Sequence, residues 1–280
     1  MLTKVQSDPS TGQALHILIP ILNEAANLER LLAGISDIQA RLAKRHELRL
    51  LLVDDGSSDG SADVARRVAA RHGIALEVVS NAVNGGPGKA FASGFARLAS
   101  LMGEDDWVVT MEGDNTSRQE LLQQMLQRTG EGYDVIFASP YMYGGGILHT
   151  SYLRTFLSHV SNTFVREFLG IHGILTVSSF FRLYRARVLR DLQSVWGPGI
   201  LDRSGFECMI ELTMKLIHRG ATISEVPMVL DTSRRVGRSK MRILRTIFGY
   251  LTMVRDRGRW CRPETRRPLP MLPPDGAAAQ

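Results

Sequence analysis

Residues Leu48 to Val53 read Leu-Arg-Leu-Leu-Leu-Val, an almost unbroken aliphatic run of strand length. A strand this apolar is covered on both faces, which restricts the chain to a sheet sandwiched between helices. The neighbouring segments repeat the theme. Leu15 to Pro20 is a first buried strand, and the helix opening over Asn23 to Leu28 carries Leu28, Leu31, Leu32 and Ile35 at helical spacing. After Val53 comes an acidic turn, Asp54 to Ser61, and then a helix over Ala62 to His72. Leu76 to Ser80 is a third strand, followed by a glycine-rich turn and a helix of small residues through Leu101. Asp106 to Val109 is the fourth and Asp134 to Ser139 the fifth, with a helix between Gln119 and Arg128. Such alternation predicts right-handed crossovers and a mostly parallel, Rossmann-like α/β sheet flanked by helices.

Ligands bind such sheets outside the carboxyl ends of the strands. The fourth strand delivers Thr110-Met111-Glu112-Gly113-Asp114-Asn115-Thr116-Ser117 to that edge, and the second delivers Asp55. Glu112 and Asp114 have the spacing at which two oxygen ligands converge on one hard cation, Mg²⁺ or Mn²⁺. A solvated acidic loop has the same look, so the rest of the chain must decide. Asn84 to Lys89 resembles a phosphate cradle at a helix start, with Gly88 and Lys89 as its contacts, but it has neither P-loop nor Gly-x-Gly-x-x-Gly spacing.

Beyond Ser139 the alternation stops. Pro140 to Gly146 is a flexible loop of the kind that closes over a substrate. Ser151 to Leu169 is an amphipathic helix with Arg154 near its start, and Val177 to Tyr184 reads as a β segment. A helix opening over Gly205 to Glu211 sets Glu207 and Glu211 one turn apart on one face. Ala221 to Val229 is a last strand. Met241 to Val254 is a helix with Ile243, Leu244, Ile247, Phe248, Leu251 and Val254 on one broad face.

Composition narrows the function. At 44% hydrophobic, the 280 residues can bury a substantial core. Cys208 and Cys261 are too few and too far apart for a disulfide scaffold or a zinc site, and they fit a reducing compartment. No window is apolar enough to span a bilayer. Much of the net charge of +6 lies near the C-terminus, where Arg234 to Arg267 holds twelve Lys and Arg against Asp256 and Glu264. Without aromatic interleaving or a helix-turn-helix or RNA-binding signature, that region does not read as a nucleic-acid surface. It suits anionic lipid or a phosphorylated substrate.

Five motifs in order carry a resemblance. They are Ile19-Pro20-x-x-Asn23-Glu24, Val53-Asp54-Asp55-Gly56-Ser57-x-Asp59-Gly60, the Asn84 to Ala90 glycine segment, Glu112-x-Asp114, and Glu225-Val226-Pro227 with Arg234-x-x-Gly237-x-Ser239-Lys240. Together they resemble the family-2 glycosyltransferases of GT-A fold, and within them the dolichol- or polyprenyl-phosphate mannose synthase group. The resemblance implies a metal-dependent, inverting transfer of a hexose from a GDP- or UDP-sugar to a polyprenyl phosphate. It implies that Pro20, Leu22, Glu24, Val53, Asp55, Gly88, Lys89, Glu112, Gly113 and Asp114 line the nucleotide-sugar site. Asp114, Glu112 and Thr116 would hold the cation, with Arg234 and Lys240 on the diphosphate. Arg154 and Arg182 would meet the acceptor.

The chain departs from the group where Ser139-Pro140-Tyr141 replaces Ser-Arg-Tyr, where His159 replaces an Arg, and over Thr176 to Arg182. The alternative is a soluble enzyme glycosylating a hydroxyl or amine of a small molecule, with Glu207 or Glu211 as general base. The expected organisation is a loose leader over 1–13, a catalytic unit over 14–240 (donor half 14–139, acceptor half 140–240), a basic amphipathic helix over 241–260 and a disordered Pro-rich tail over 261–280. The expected location is cytoplasmic and peripheral, with the basic helix resting on the inner membrane face.

Overall fold

The computed structural model describes residues 13–237 and 243–260. The leader before Gln13, the tail from Cys261 and Lys240 lie outside the described residues, as does the side chain of Arg154.

The strands and helices alternate as the apolar runs predict. They are β1 (Gln13–Ile21), α1 (Ala25–Leu42), β2 (His46–Asp54), α2 (Ser61–His72), β3 (Leu76–Ser80), α3 (Pro87–Leu98), β4 (Trp107–Thr110), α4 (Leu121–Arg128) and β5 (Val135–Ser139). Then follow β6 (Gly146–Leu148), α5 (Tyr152–Leu169), β7 (Arg182–Arg185), α6 (Ala186–Trp196), α7 (Cys208–His218), β8 (Ile223–Pro227), β9 (Val229–Asp231) and α8 (Ile243–Asp256).

Seven strands form one sheet in the order β3-β2-β1-β4-β7-β5-β8, and β6 pairs with β9 in a two-stranded sheet. The register brings Ile21 opposite Asp54 and Leu18 opposite Thr110, so β1, β2 and β4 end at one edge. All pairs are parallel except those of β7, which runs antiparallel between β4 and β5. Of the expected Val177 to Tyr184 segment only Arg182 to Tyr184 is strand, as part of β7, because the preceding residues form the loop that returns from α5. The expected last strand divides into β8 and β9, which join different sheets.

Two apolar cores lie against the sheet. One packs Leu28, Leu31, Leu32 and Ile35 of α1 with Val68 of α2 and Met125 of α4. The other packs Phe91 and Phe95 of α3 with Leu189 of α6, α7 and Trp260. Helix α7 is buried from Cys208 through Leu216, and its two ionisable members answer each other, Lys215 Nζ donating to Glu211 Oε1 at 2.6 Å. Glu211 also accepts the backbone N–H groups of Asp202 and Arg203 at 2.9 and 2.8 Å. It therefore holds a loop in place, and its expected role as a general base is corrected.

Arg182 is corrected likewise. It is 0% exposed and cannot meet an acceptor. Its guanidinium donates to the carbonyls of Ser179, Met209 and Val177 at 2.7, 3.1 and 2.8 Å, and lies 4.1 Å from the centre of the Phe137 ring. Replacing it by Met removes all three of these bonds, though the Met209 carbonyl keeps the Thr213 hydroxyl as a donor at 2.8 Å. The Arg182→Met protein is expected to lose about 3 kcal/mol of unfolding free energy in urea titrations. Unchanged unfolding with weakened acceptor binding would return Arg182 to the substrate site.

Candidate active site

The ends of β1, β2 and β4 open into a cavity of about 1060 Å³, a volume suited to a nucleotide sugar. Pro20, Leu22, Glu24, Asp55, Glu112, Gly113, Asp114 and Thr116 all line it, so the motifs that the sequence separates by almost a hundred residues meet at one surface. Val53 lies beneath them, fully buried in the core. Glycine at 113 allows a close approach: a Cβ there would stand 3.0 Å from Ile21 Cγ2 and 3.2 Å from the Pro20 carbonyl, tighter than ordinary contact. The absent Cβ lets the acidic turn lie against the end of β1.

Asp55 lines the cavity and has a structural task as well. Buried at the strand end, it accepts Asn81 Nδ2 at 2.9 Å and the N–H groups of Gly85 and Gly86, the latter at 2.8 Å. Its carboxylate thus braces the glycine turn. Asn84, Gly85, Gly86 and Pro87 line the cavity, while the Gly85, Gly86 and Gly88 N–H groups already have acceptors within the protein. The Gly88 N–H donates to Ser204 O at 2.8 Å, and a Cβ at Gly88 would fall 1.9 Å from Arg203 O. Lys89 is exposed and does not line the cavity. Glycine is needed here for close packing of α3 on the 203–204 backbone.

Glu24 accepts Asn27 Nδ2 at 2.6 Å. Asn27 itself is 2% exposed and clips a distant loop, its Nδ2 donating to Val236 O at 3.1 Å and its Oδ1 accepting Val236 N at 2.9 Å. Sequence reasoning passed over Asn27, since only the fold brings Val236 to it.

At the acidic turn, Asp114 Oδ1 accepts the Thr116 N–H at 3.1 Å and its hydroxyl at 2.7 Å. Thr116 therefore orients Asp114, a role distinct from direct ligation. Glu112 Oε2 accepts Ser117 Oγ at 2.8 Å. Burial, with the Asp114 charge beside it, raises the Glu112 pKa. Two carboxylates crowded at a strand end, one of them resisting ionisation, fit a divalent cation that would relieve both effects. Among the described residues no group of three or more His, Cys, Asp or Glu is arranged for a metal.

The cation beside Asp114 is Arg235, whose Nε lies 2.7 Å from Oδ2 with Nη2 on the same oxygen. The sequence reading placed Arg234, with Lys240, on the diphosphate. The structure corrects it: Arg234 closes a short 3₁₀ turn and lines a separate recess of about 250 Å³ with Arg30, Asp37 and Glu120. One residue of offset in a tight turn exchanges the two side chains' directions, and motif spacing cannot resolve that. Glu207 precedes α7 and lines the cavity with Tyr141, Ser158 and Phe248.

The comparisons agree with this geometry. The glycosyl transferase family 2 model matches residues 16–193. A polyprenol monophosphomannose synthase of Mycolicibacterium smegmatis is 30% identical over 247 residues, 84% of each chain. An undecaprenyl-phosphate 4-deoxy-4-formamido-L-arabinose transferase of Klebsiella pneumoniae is 31% identical over 122 residues, 44% of this chain and 35% of that one. Among solved structures, a glucosyl-3-phosphoglycerate synthase of Mycobacterium tuberculosis in complex with Mn²⁺, UDP-glucose and glycerol 3-phosphate superposes with a TM-score of 0.59. It is 19% identical, with 88% of this chain and 81% of that one covered, and it shares the fold. With the strand-end acids, the GT-A architecture and the match to more than half its length, this chain belongs to glycosyltransferase family 2.

Proposed function

We propose that the protein transfers a hexose from a GDP- or UDP-sugar to a polyprenyl phosphate at a membrane surface, with Mg²⁺ or Mn²⁺. The observation that carries this reading is the continuity of one cavity, from Glu112 and Asp114 at the sheet edge to Tyr141, Ser158 and Phe248 beside α5 and α8. A donor with its diphosphate at the acids has its sugar directed along that cavity. The relatives named for polyprenyl-phosphate chemistry support the acceptor class.

The outer surface suits a lipid. On α5, Tyr152, Phe156 and Val160 recur every fourth residue and are 95%, 63% and 47% exposed. On α8, Phe248 and Leu251 are 67% and 50% exposed, and the two helices pack together. Exposed apolar stripes at the mouth of a site, with basic residues on the same chain segment, match an interfacial anchor. No helix among the described residues is long and apolar enough to cross a membrane.

Glu112 and Asp114 would hold the cation, which when bound stabilises the charge that gathers on the leaving diphosphate. A phosphate acceptor attacks as an anion and needs no proton removed. Glu207 then serves as cavity wall, whereas a hydroxyl acceptor would recruit it as base.

Three outcomes are expected. In a screen of UDP- and GDP-sugars against a polyprenyl phosphate, turnover requires Mg²⁺ or Mn²⁺, and Asp114→Asn lowers kcat/KM at least about 100-fold. A Glu207→Gln protein that loses activity equally would favour the hydroxyl-acceptor reading. Replacing Glu112 by Gln tests its raised pKa. Below pH 4 the carboxyl is neutral folded or unfolded, so Tm should match the parent. As pH rises the unfolded chain ionises first and the parent's folded state is disfavoured, so Glu112→Gln should gain a few degrees in Tm at pH 7 in metal-free buffer. Equal Tm values at both pH values would remove the strain argument. Finally, the parent should float with anionic vesicles and Phe156→Asp/Leu251→Asp should not, while the double variant, whose two positions do not line the cavity, keeps turnover on a short, water-soluble polyprenyl phosphate.

A further inference from the structure

An ionised carboxylate offers about four lone-pair sites. All four on Asp114 are engaged: Oδ1 by the Thr116 N–H and hydroxyl, Oδ2 by Nε and Nη2 of Arg235. The pair is well shielded, with 16% of the Asp114 side chain and 18% of the Arg235 side chain exposed. A cation can reach Asp114 only if a donor gives way. The Thr116 N–H is held by the same turn that carries Asp114, and its hydroxyl is buried. Arg235 is the one that can move. It is a long side chain lining the cavity, while its neighbour Val236 is fastened to Asn27 through both backbone groups. The anchor stays and the guanidinium is free to swing.

We propose that Arg235 is a specificity-determining gate on the metal site. It occupies Asp114 until a nucleotide diphosphate draws the guanidinium onto its phosphate oxygens, so that cation and donor load together and the cation alone loads poorly. This rests on the metal-dependent transfer proposed above. The chemistry is symmetrical: a guanidinium forks onto a phosphate as readily as onto a carboxylate, and a diphosphate offers more charge than one Asp. No covalent step is involved. The diphosphate accepts the Arg235 N–H groups, and Oδ2 passes from Arg235 to the cation.

Calorimetric titration of Mn²⁺ into the full chain, with and without UDP, tests the gate. The parent should bind Mn²⁺ weakly alone and at least about tenfold more tightly with UDP, the scale of one charge-assisted contact. Arg235→Met should bind Mn²⁺ alone about tenfold more tightly than the parent, with the UDP enhancement reduced by a similar factor. Arg235→Lys keeps a charge without the fork and should fall between them, and circular dichroism would establish that each variant is folded. If Arg235 only braces the loop, its loss weakens Mn²⁺ binding or leaves it unchanged, and either result overturns the gate. Absence of Mn²⁺ binding by parent and variants alike would instead overturn the metal-dependent reading, and the gate with it.

Discussion

Parallel pairing of β1 with β2 on one side and β4 on the other is the constraint on which this structure depends. It ends three strands at one edge, and the residues that follow them are acidic: Glu24, Asp55, Glu112 and Asp114. Carboxylates gathered at the rim of an apolar sheet are costly unless each finds donors. The loops supply them. Asn27 donates to Glu24, the glycine turn to Asp55, Ser117 to Glu112, and Thr116 with Arg235 to Asp114. The acidic edge and the loops wrapped around it are thus one arrangement, and removing either leaves the other unsatisfied.

The parts of the chain that were legible in advance are those governed by local pattern. The aliphatic runs located β1 through β5, and the helical spacing of Leu28, Leu31, Leu32 and Ile35 identified the face of α1 that enters the core. The acidic edge followed, because a strand's direction and its terminal residues are written together. What failed depends on distant backbone. Nothing near Arg182 signals that the Val177 and Met209 carbonyls will surround it. Nothing in the Glu211 spacing reveals that Lys215 and the 202–203 backbone will claim its charge. Choosing between Arg234 and Arg235 required the path of a 3₁₀ turn that hydrophobic periodicity does not report.

The two walls of the cavity differ in kind. The inner wall is made of strand ends and buried turns, where Gly113 lies close against β1 and Asp55 is fixed by several donors. The outer wall is made of α5 and α8, whose apolar residues stand partly in solvent. On the proposed function, the donor would meet the first wall and the acceptor the second. The departures from the synthase pattern at Pro140, His159 and Thr176 cluster on or near that outer wall or the loops that lead to it.

The first turn of α3 closes the case from another direction. In sheets of this kind a helix N-terminus supplies a standing partial charge for phosphate. Here the Ser204 carbonyl accepts the Gly88 N–H, and the Arg203 carbonyl crowds the same residue. One N–H donor of the α3 terminus is thus spent within the protein and cannot reach a phosphate in the cavity. On the proposed chemistry, its attraction for a diphosphate comes from components that arrive or turn toward it, an ion and one arginine. On that chemistry, a ligand that brings a cation with it would hold the site better than inorganic phosphate alone.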